Sequence, residues 1–309
     1  MARRIATVFG GSGFIGRHVV QRLARQGCLV RVAVRDTVSA DKLRTQGDVG
    51  QVVPLSASLS NEADVARAVE GAEWVVNLVG ILFERRPGDF TRVHVEGAGR
   101  AARLAAAAGA ARFVQVSAIG ADAGSESLYA RSKAEGEAAV RAAFPAATIL
   151  RPSVVFGPED GFFGRFAGLV ASLPFTPVVC GETRFQPVYV GDVADAVMAA
   201  LQRADAPGQT YELGGPRVMS MREVMAYVQA VTGRRRMMVD MPMGLMRLQA
   251  RLGELLPTPP ITRDQLVLLR RDNVVAEGAA GLSALGISAS AVEAIVPATL
   301  ARYRVAGGS

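Results

Sequence analysis

Ile5-Ala6-Thr7-Val8-Phe9-Gly10-Gly11-Ser12-Gly13-Phe14-Ile15-Gly16-Arg17 is the stretch that decides the fold. Ile5 to Phe9 is a short apolar run, glycines follow at once, and His18 to Ala24 then sets Val19, Val20 and Leu23 on one side of a helix. Strand, glycine turn and helix together turn a weak pattern into a dinucleotide fingerprint. Glycines allow a tight turn and close backbone approach, so a pyrophosphate can lie against the unpaired N–H groups of the helix N-terminus. Two registers fit: Gly11, Gly13 and Gly16 satisfy G-x-G-x-x-G, whereas Gly10, Gly13 and Gly16 satisfy G-x-x-G-x-x-G. A glycine-rich hairpin is the alternative, and the helix that follows argues against it.

A second signal is Tyr129-Ala130-Arg131-Ser132-Lys133. The chain has two lysines against thirty-three arginines, so a site wanting only a cation would hold Arg. A compact ammonium with three rotatable donors reaches both a ribose hydroxyl and a phenol, which a planar fork does poorly. Residues i and i+4 share a helix face, so the two side chains converge. A cation there favours phenolate, and the expectation is a Tyr129 pKa below its ordinary value of about 10. An ordinary exposed helix pair is the bland reading of this spacing, and the N-terminal fingerprint weighs against it.

The ribose end is read from the second apolar run, Leu29 to Val34, which ends in Arg35-Asp36. An acidic residue there binds the 2′-hydroxyl of NAD, whereas Arg accepts the 2′-phosphate of NADP. Arg35 comes first, which favours NADP(H) over NAD(H). Arg17 is either a second cation for that phosphate or a solvated first-turn arginine. Ser58 and Leu59 beyond the third run, Leu78-Val79-Gly80 beyond the fourth, Ser117 beyond the fifth and Pro152 beyond the sixth complete the expected cofactor contacts.

Strand-like and helical stretches keep alternating: Val52-Val53, helix 61–69, Trp74 to Asn77, helix 89–107, Arg112 to Ser117, helix 129–143, Ala147 to Leu150. This predicts an α/β fold with a doubly wound parallel sheet. Residues 1–150 read as a Rossmann-type dinucleotide-binding domain. Residues 151–309 read as a smaller C-terminal lobe for substrate or interaction, with 185–201 returning to the sheet. Ser220 to Val231 reads as a helix with a Ser220/Glu223 capping box. Met237 to Leu256 sets Leu245, Leu248, Leu252 and Leu255 against Arg247 and Arg251, an amphipathic surface that meets lipid, a partner or its own lobe.

Composition narrows the function classes. With 309 residues, half of them hydrophobic, the chain can bury a full core. Of the net charge of +7, Pro216 onward contributes +5, from 12 arginines against 7 acids. That favours a local anionic partner, such as a membrane surface or an acidic protein, over nucleic acid; an Arg-rich surface without a partner accounts for it equally well. Cys28, Cys180, His18 and His94 are too few and too scattered for a zinc site or a Ser/His/Asp triad, so no metal is expected. The longest uncharged apolar stretch, Trp74 to Phe83, is too short to span a bilayer. No cleavable leader is read before the first strand, and a cytosolic location, or one on the cytosolic face of a membrane, is expected.

These residues resemble the extended and atypical short-chain dehydrogenase/reductases along the whole chain. The resemblance rests on Gly10/Gly13/Gly16, Ser117, Tyr129/Lys133, Arg151-Pro152 with Gly157-Pro158, and Tyr189-Val190-Gly191-Asp192-Val193. It selects the G-x-x-G-x-x-G register. Within that superfamily the chain is similar to the Rossmann-type accessory subunits of respiratory complex I (NADH:ubiquinone oxidoreductase). Pro259-Pro260-Ile261-Thr262-Arg263-Asp264-Gln265-Leu266, Leu269-Arg270-Arg271-Asp272-Asn273-Val274-Val275 and Val93-His94-Val95-Glu96-Gly97 carry that likeness. It implies a tightly bound structural NADPH and complex I subunits as partners. The wider resemblance implies a reductase or epimerase acting on a quinone-type or other small carbonyl, with Tyr129 as general acid, Lys133 orienting ribose and Ser117 holding the substrate oxygen. His94 departs from the Asn usual in the enzymes; an imidazole can still pass protons, but the ordered relay that the Asn supports is not implied for this chain.

Overall fold

The computed structural model describes residues 3–305. In chain order the first half contains β1 (Ile5–Phe9), α1 (Phe14–Arg25), β2 (Leu29–Val34), a short α2 (Thr37–Ala40), β3 (Val52–Ser56), α3 (Glu62–Val69) and β4 (Trp74–Asn77). Then come a π-helical stretch (Thr91–Gly97), α4 (Ala98–Ala107), β5 (Arg112–Val116), α5 (Leu128–Ala143) and β6 (Thr148–Pro152). The second half contains β7 (Val155–Phe156), α6 (Phe163–Ser172), β8 (Thr176–Val178), β9 (Arg184–Phe185), β10 (Val188–Tyr189), α7 (Val190–Gln202) and β11 (Thr210–Leu213). After these follow β12 (Met219–Ser220), α8 (Met221–Thr232), β13 (Met238–Asp240), α9 (Met243–Gly253), α10 (Arg263–Leu268) and α11 (Val292–Thr299).

Seven strands form one parallel sheet in the order β11-β6-β5-β4-β1-β2-β3. The chain winds outward from β1 to β3, then returns to the other side of β1 for β4, β5 and β6. The carboxyl ends of β1 and β4 therefore flank the point where strand order reverses, which is where ligands bind in open α/β sheets. Both faces are covered, so the strands carry near-continuous apolar runs. One face buries Val8, Val32 and Val76 against Val19, Val20 and Leu23 of α1 and Val197 and Leu201 of α7. The other buries Phe9, Val75 and Phe113 against Val65, Ala101, Ala105 and Val140.

Residues 185–189 do not add to this sheet. β9 pairs with β12 and β10 with β7, while α7 comes back to cover the sheet alongside α1. The second lobe has its own core of Phe156, Phe163, Met219, Val224, Met225, Val228 and Val296. The helix expected over 89–107 is wound in two ways, π-helical to Gly97 and α-helical afterwards. At one edge of the sheet, Gln51 accepts from Val30 N and Ala57 donates to Val34 O, so odd-numbered residues of β3 bond inward and Pro54 falls in the outward row. At the other edge, Glu212 N of β11 donates to Ala280 O at 2.9 Å.

Candidate functional site

The glycine turn closes through Gly13 N donating to Gly10 O at 3.0 Å. Gly10 has φ +75°, in the left-handed region, and a Cβ on Gly16 would sit 2.3 Å from Gly10 O, so neither position takes a side chain without rearrangement. Gly13 caps α1 with no side chain, which leaves the first-turn N–H groups, from Phe14 and Ile15 on, aimed at the space above the turn together with Ser12. Gly10 lies beside the exit of β4: a Cβ there would be 3.3 Å from the Leu78 carbonyl carbon and 3.2 Å from Val79 Cγ2. The turn and Leu78-Val79-Gly80 thus form one cradle at the switch point.

Tyr129 and Lys133 come to this cradle on α5. A Cβ on Gly80 would lie 3.8 Å from Lys133 Nζ and 3.6 Å from His94 Nε2. Lys133 is buried and its Nζ donates to Val116 O at 3.2 Å. Burial pulls its pKa down to about 8, with Glu137 opposing the shift. The expected lowering of the Tyr129 pKa is overturned: burial pushes the phenol up to about 12. Its ring lies edge-on to Phe90 and His94, at 5.8 and 5.6 Å, packing that desolvates a phenolate. Tyr129 is therefore neutral. Ser117 is buried beside Lys133's acceptor strand, and its Oγ has no hydrogen-bond partner among the described residues. A buried hydroxyl normally has a partner, and the glycine turn fits a dinucleotide.

Other expected contacts are more peripheral. Arg35 is exposed at the end of β2. Arg17 is ion-paired with Glu159 and lies over the Phe14 ring, so its charge is already balanced by the 157–160 turn. Leu59 is buried and its carbonyl accepts from Arg100 at 2.5 Å, while Ser58 Oγ bonds Ser60 Oγ at 2.8 Å. Pro152 O accepts from Ile119 N at 3.0 Å, tying the exits of β5 and β6.

His94 is not a relay. Ile81 N donates to Nε2 at 3.0 Å, so the ring proton sits on Nδ1, which donates to Ser132 Oγ at 2.9 Å. Ser132 Oγ in turn donates to Tyr129 O at 2.8 Å. Burial, with the Lys133 charge, pulls the His94 pKa down to about 3, so both nitrogens are committed in a neutral ring.

Several residues that build the site were given no role in it by the sequence. Asn77 Nδ2 donates to Gln115 Oε1 at 2.9 Å, and Asn77 Oδ1 accepts from Val79 N, which sets the turn out of β4. Glu137 holds Arg151 bidentately at 2.9 and 2.7 Å, clamping α5 to β6. A Cβ on Gly136 would meet His94 O at 2.1 Å, so α5 can approach the π-helical stretch only with glycine there. Asp264, from the far end of the chain, accepts from Ser127 Oγ at 2.8 Å, Leu128 N at 2.7 Å and Tyr129 N at 3.2 Å. A buried polar pair in two strands was the one available signal; the rest are meetings of distant residues.

Outside Phe90 lies a cleft of about 650 Å³ whose lining includes Phe83, Leu128, Leu256, Pro259 and Val267, with Arg85, Arg86 and Arg263. A neighbouring one of about 540 Å³ lies among Leu248, Leu252, Leu255, Arg251 and Arg263. α9 turns Met246 and Ala250 inward and leaves Leu245, Leu248 and Leu252 exposed, so the helix packs on its own lobe and still presents an apolar face. No helix among the described residues is long and apolar enough to cross a membrane.

Known proteins share this pattern. The NADH dehydrogenase (ubiquinone) 1 alpha subcomplex subunit 9, mitochondrial, of Arabidopsis thaliana is 34% identical over 316 residues, covering 98% of this chain and 79% of that protein. The ceramide reductase of Caulobacter vibrioides is 37% identical over 198 residues, 64% of this chain and 61% of that protein. Among solved structures, MoeE5 in complex with UDP-glucose and NAD matches with a TM-score of 0.70 at 20% identity, over 96% of this chain and 97% of that one, a likeness of fold. The NAD dependent epimerase/dehydratase family pattern matches residues 6–214, from the first strand through the sheet's last, and the chain belongs to that family.

Proposed function

We propose that this protein is an accessory or assembly subunit of a respiratory NADH:ubiquinone oxidoreductase that holds NADPH as a structural nucleotide. The observation that carries the reading is the near full-length match to a protein of that name, which includes the C-terminal third as well as the nucleotide fold. The glycine turn takes the pyrophosphate, Lys133 the nicotinamide ribose, and Arg35 the 2′-phosphate that distinguishes NADPH from NADH. The chain acts as a peripheral protein at the cytosolic face of the membrane that holds the complex, with the α9 leucines toward lipid or a neighbouring subunit.

A second reading is an NADPH-dependent reductase or epimerase acting on a quinone-type or other lipophilic carbonyl. The unpartnered Ser117 Oγ and the neutral Tyr129 favour it, because a hydroxyl and a phenol brought to one carbonyl oxygen would hold and protonate it. When bound, the nicotinamide supplies the hydride. Copurification with the respiratory complex, set against NADPH oxidation over a panel of quinones and long-chain carbonyls, separates the two. A Tyr129→Phe strain with normal complex content and lost reductase turnover decides for the enzyme. Arg35→Asp is expected to weaken NADPH binding by about 2 kcal/mol, roughly thirtyfold, and to leave NADH binding little changed. Wild-type protein that binds NADH as tightly as NADPH in calorimetry would remove the NADPH assignment.

A further inference from the structure

Residues 262–276 run across the carboxyl ends of the central strands and bond to the loops around the cradle. Gln265 Nε2 donates to Leu82 O at 3.3 Å, Arg271 pairs with Asp122 at 3.0 Å, and Asn273 Oδ1 accepts from Ser153 Oγ and Val154 N at 2.7 and 3.1 Å. Among these contacts Asp264 is the one that grips the helix bearing Tyr129 and Lys133. Its carboxylate takes two first-turn N–H groups of α5 and the Ser127 hydroxyl, and its charge opposes the positive end of the helix dipole. Ser127 itself caps Ala130 N at 3.2 Å, so one short network fixes the start of α5.

On its other side α10 carries α9. Leu266 packs with Met246 and Ala250, and these three are the fully buried members of that cluster. Arg263 closes the intervening loop on Glu254, through its N at 2.8 Å and its Nε at 2.9 Å. The unit's outer surface is apolar, with Leu245, Leu248 and Leu252 exposed at 51, 54 and 60%. A helix pair resting on so small a core opens more readily than the central sheet. Asp264 joins it to the first turn of the helix that carries Lys133.

We propose that Asp264 is a positioning residue that couples nucleotide occupancy at α5 to the ordering of α9 and its leucine face. The inference rests on the reading that the cradle holds a dinucleotide. A nucleotide that engages Lys133 fixes α5, α5 fixes Asp264, and Asp264 fixes the α10–α9 pair. By reciprocity, a partner that buries the leucine face tightens the nucleotide by the same factor. The nucleotide then orders a helix formed by a different part of the chain.

The test uses the full chain and NADPH. Calorimetry gives affinity, nicotinamide fluorescence reports the bound state, and hydrogen exchange over residues 243–268 is followed with and without saturating NADPH. In the wild type, NADPH is expected to slow exchange in α9 on the order of tenfold, within the usual range of site-to-site coupling. Asp264→Ala should reduce that ratio below about twofold and weaken NADPH by a matching factor. Asp264→Asn keeps the shape and one acceptor and should restore part of the ratio; it also carries the comparison if the alanine variant fails to fold. Arg271→Ala, which cuts a strap contact to the Asp122 side chain in the loop before α5 and leaves every Asp264 contact in place, should behave as wild type. A merely structural Asp264 would raise exchange equally in free and bound protein, leaving the ratio intact, and that result overturns the proposal. Equal loss of the ratio in Arg271→Ala overturns it too. Bound NADPH with unchanged α9 exchange in the wild type sinks the coupling alone, whereas absence of any dinucleotide binding sinks it together with the proposed function.

Discussion

His94 sits between Ile81 N and Ser132 Oγ with no lone pair or proton to spare, and that has a measurable cost in acid. Its pKa is about 3 in the folded chain against an ordinary 6.5, so below pH 6.5 the unfolded chain takes up a proton that the folded one refuses. Stability therefore falls with falling pH between these values, by about 2 kcal/mol from pH 7 to pH 5 from this group alone. His94→Gln should start less stable at pH 7 and lose about 2 kcal/mol less over the same interval. Urea midpoints at the two pH values give the answer, and equal losses in both proteins would refute it. At this scale the sequence was readable wherever chemistry is local. Glycines at fixed offsets and a Tyr–Lys pair at i, i+4 declare themselves. The Tyr129 pKa did not, because Phe90 lies 39 residues away and its packing desolvates the phenol. Asp264 stands in a stretch quoted for its family likeness, but its grip on α5, 135 residues from Tyr129, has no signature before the chain is folded.

α5 and α6 make opposite demands on a helical glycine. Gly136 of α5 faces His94 O, where a Cβ would intrude to 2.1 Å, whereas a Cβ on Gly168 of α6 meets nothing within 4 Å. Gly136→Ala should lower stability by about 1–3 kcal/mol despite the better propensity of Ala, since overpacking against backbone cannot relax cheaply. Gly168→Ala should raise it by about 0.5–1 kcal/mol through propensity alone. Thermal melts of the two variants should move in opposite directions, and a shared sign would contradict the packing described. Helix ends were legible where caps are sequence-local: Asn61 caps α3, and Ser220 with Glu223 forms the capping box of α8. The π-helical winding at Thr91–Gly97 was not, because it answers to the close approach of α5 and not to its own residues.

Across the whole molecule the exposed apolar surface is concentrated on one side of the second lobe, from Leu245 to Leu256, in the third of the chain that holds most of the net positive charge. Leu248→Glu with Leu252→Glu removes apolar surface that the fold does not use. The melting temperature should therefore stay within about 2 °C, as for surface substitutions within ±0.5 kcal/mol. The native protein should fractionate with membranes, high salt should release only part of it, and the double variant should become soluble. A wild type found wholly in the soluble fraction would rule out this orientation. The doubly wound parallel sheet was legible from strand–helix alternation, while the pairing of β9 and β10 outside it was not, since two-residue strands carry too little pattern. The rims of the sheet add a last consequence. Pro54 leaves the middle of the outward row of β3 without a donor, and Ala280 O already occupies Glu212 N on β11. Neither rim can template another strand, so this protein is guarded against runaway edge-to-edge polymerisation. Whatever company it keeps must be recruited through side chains and not by backbone zippering, and Pro54→Thr should make concentrated solutions of it turn cloudy.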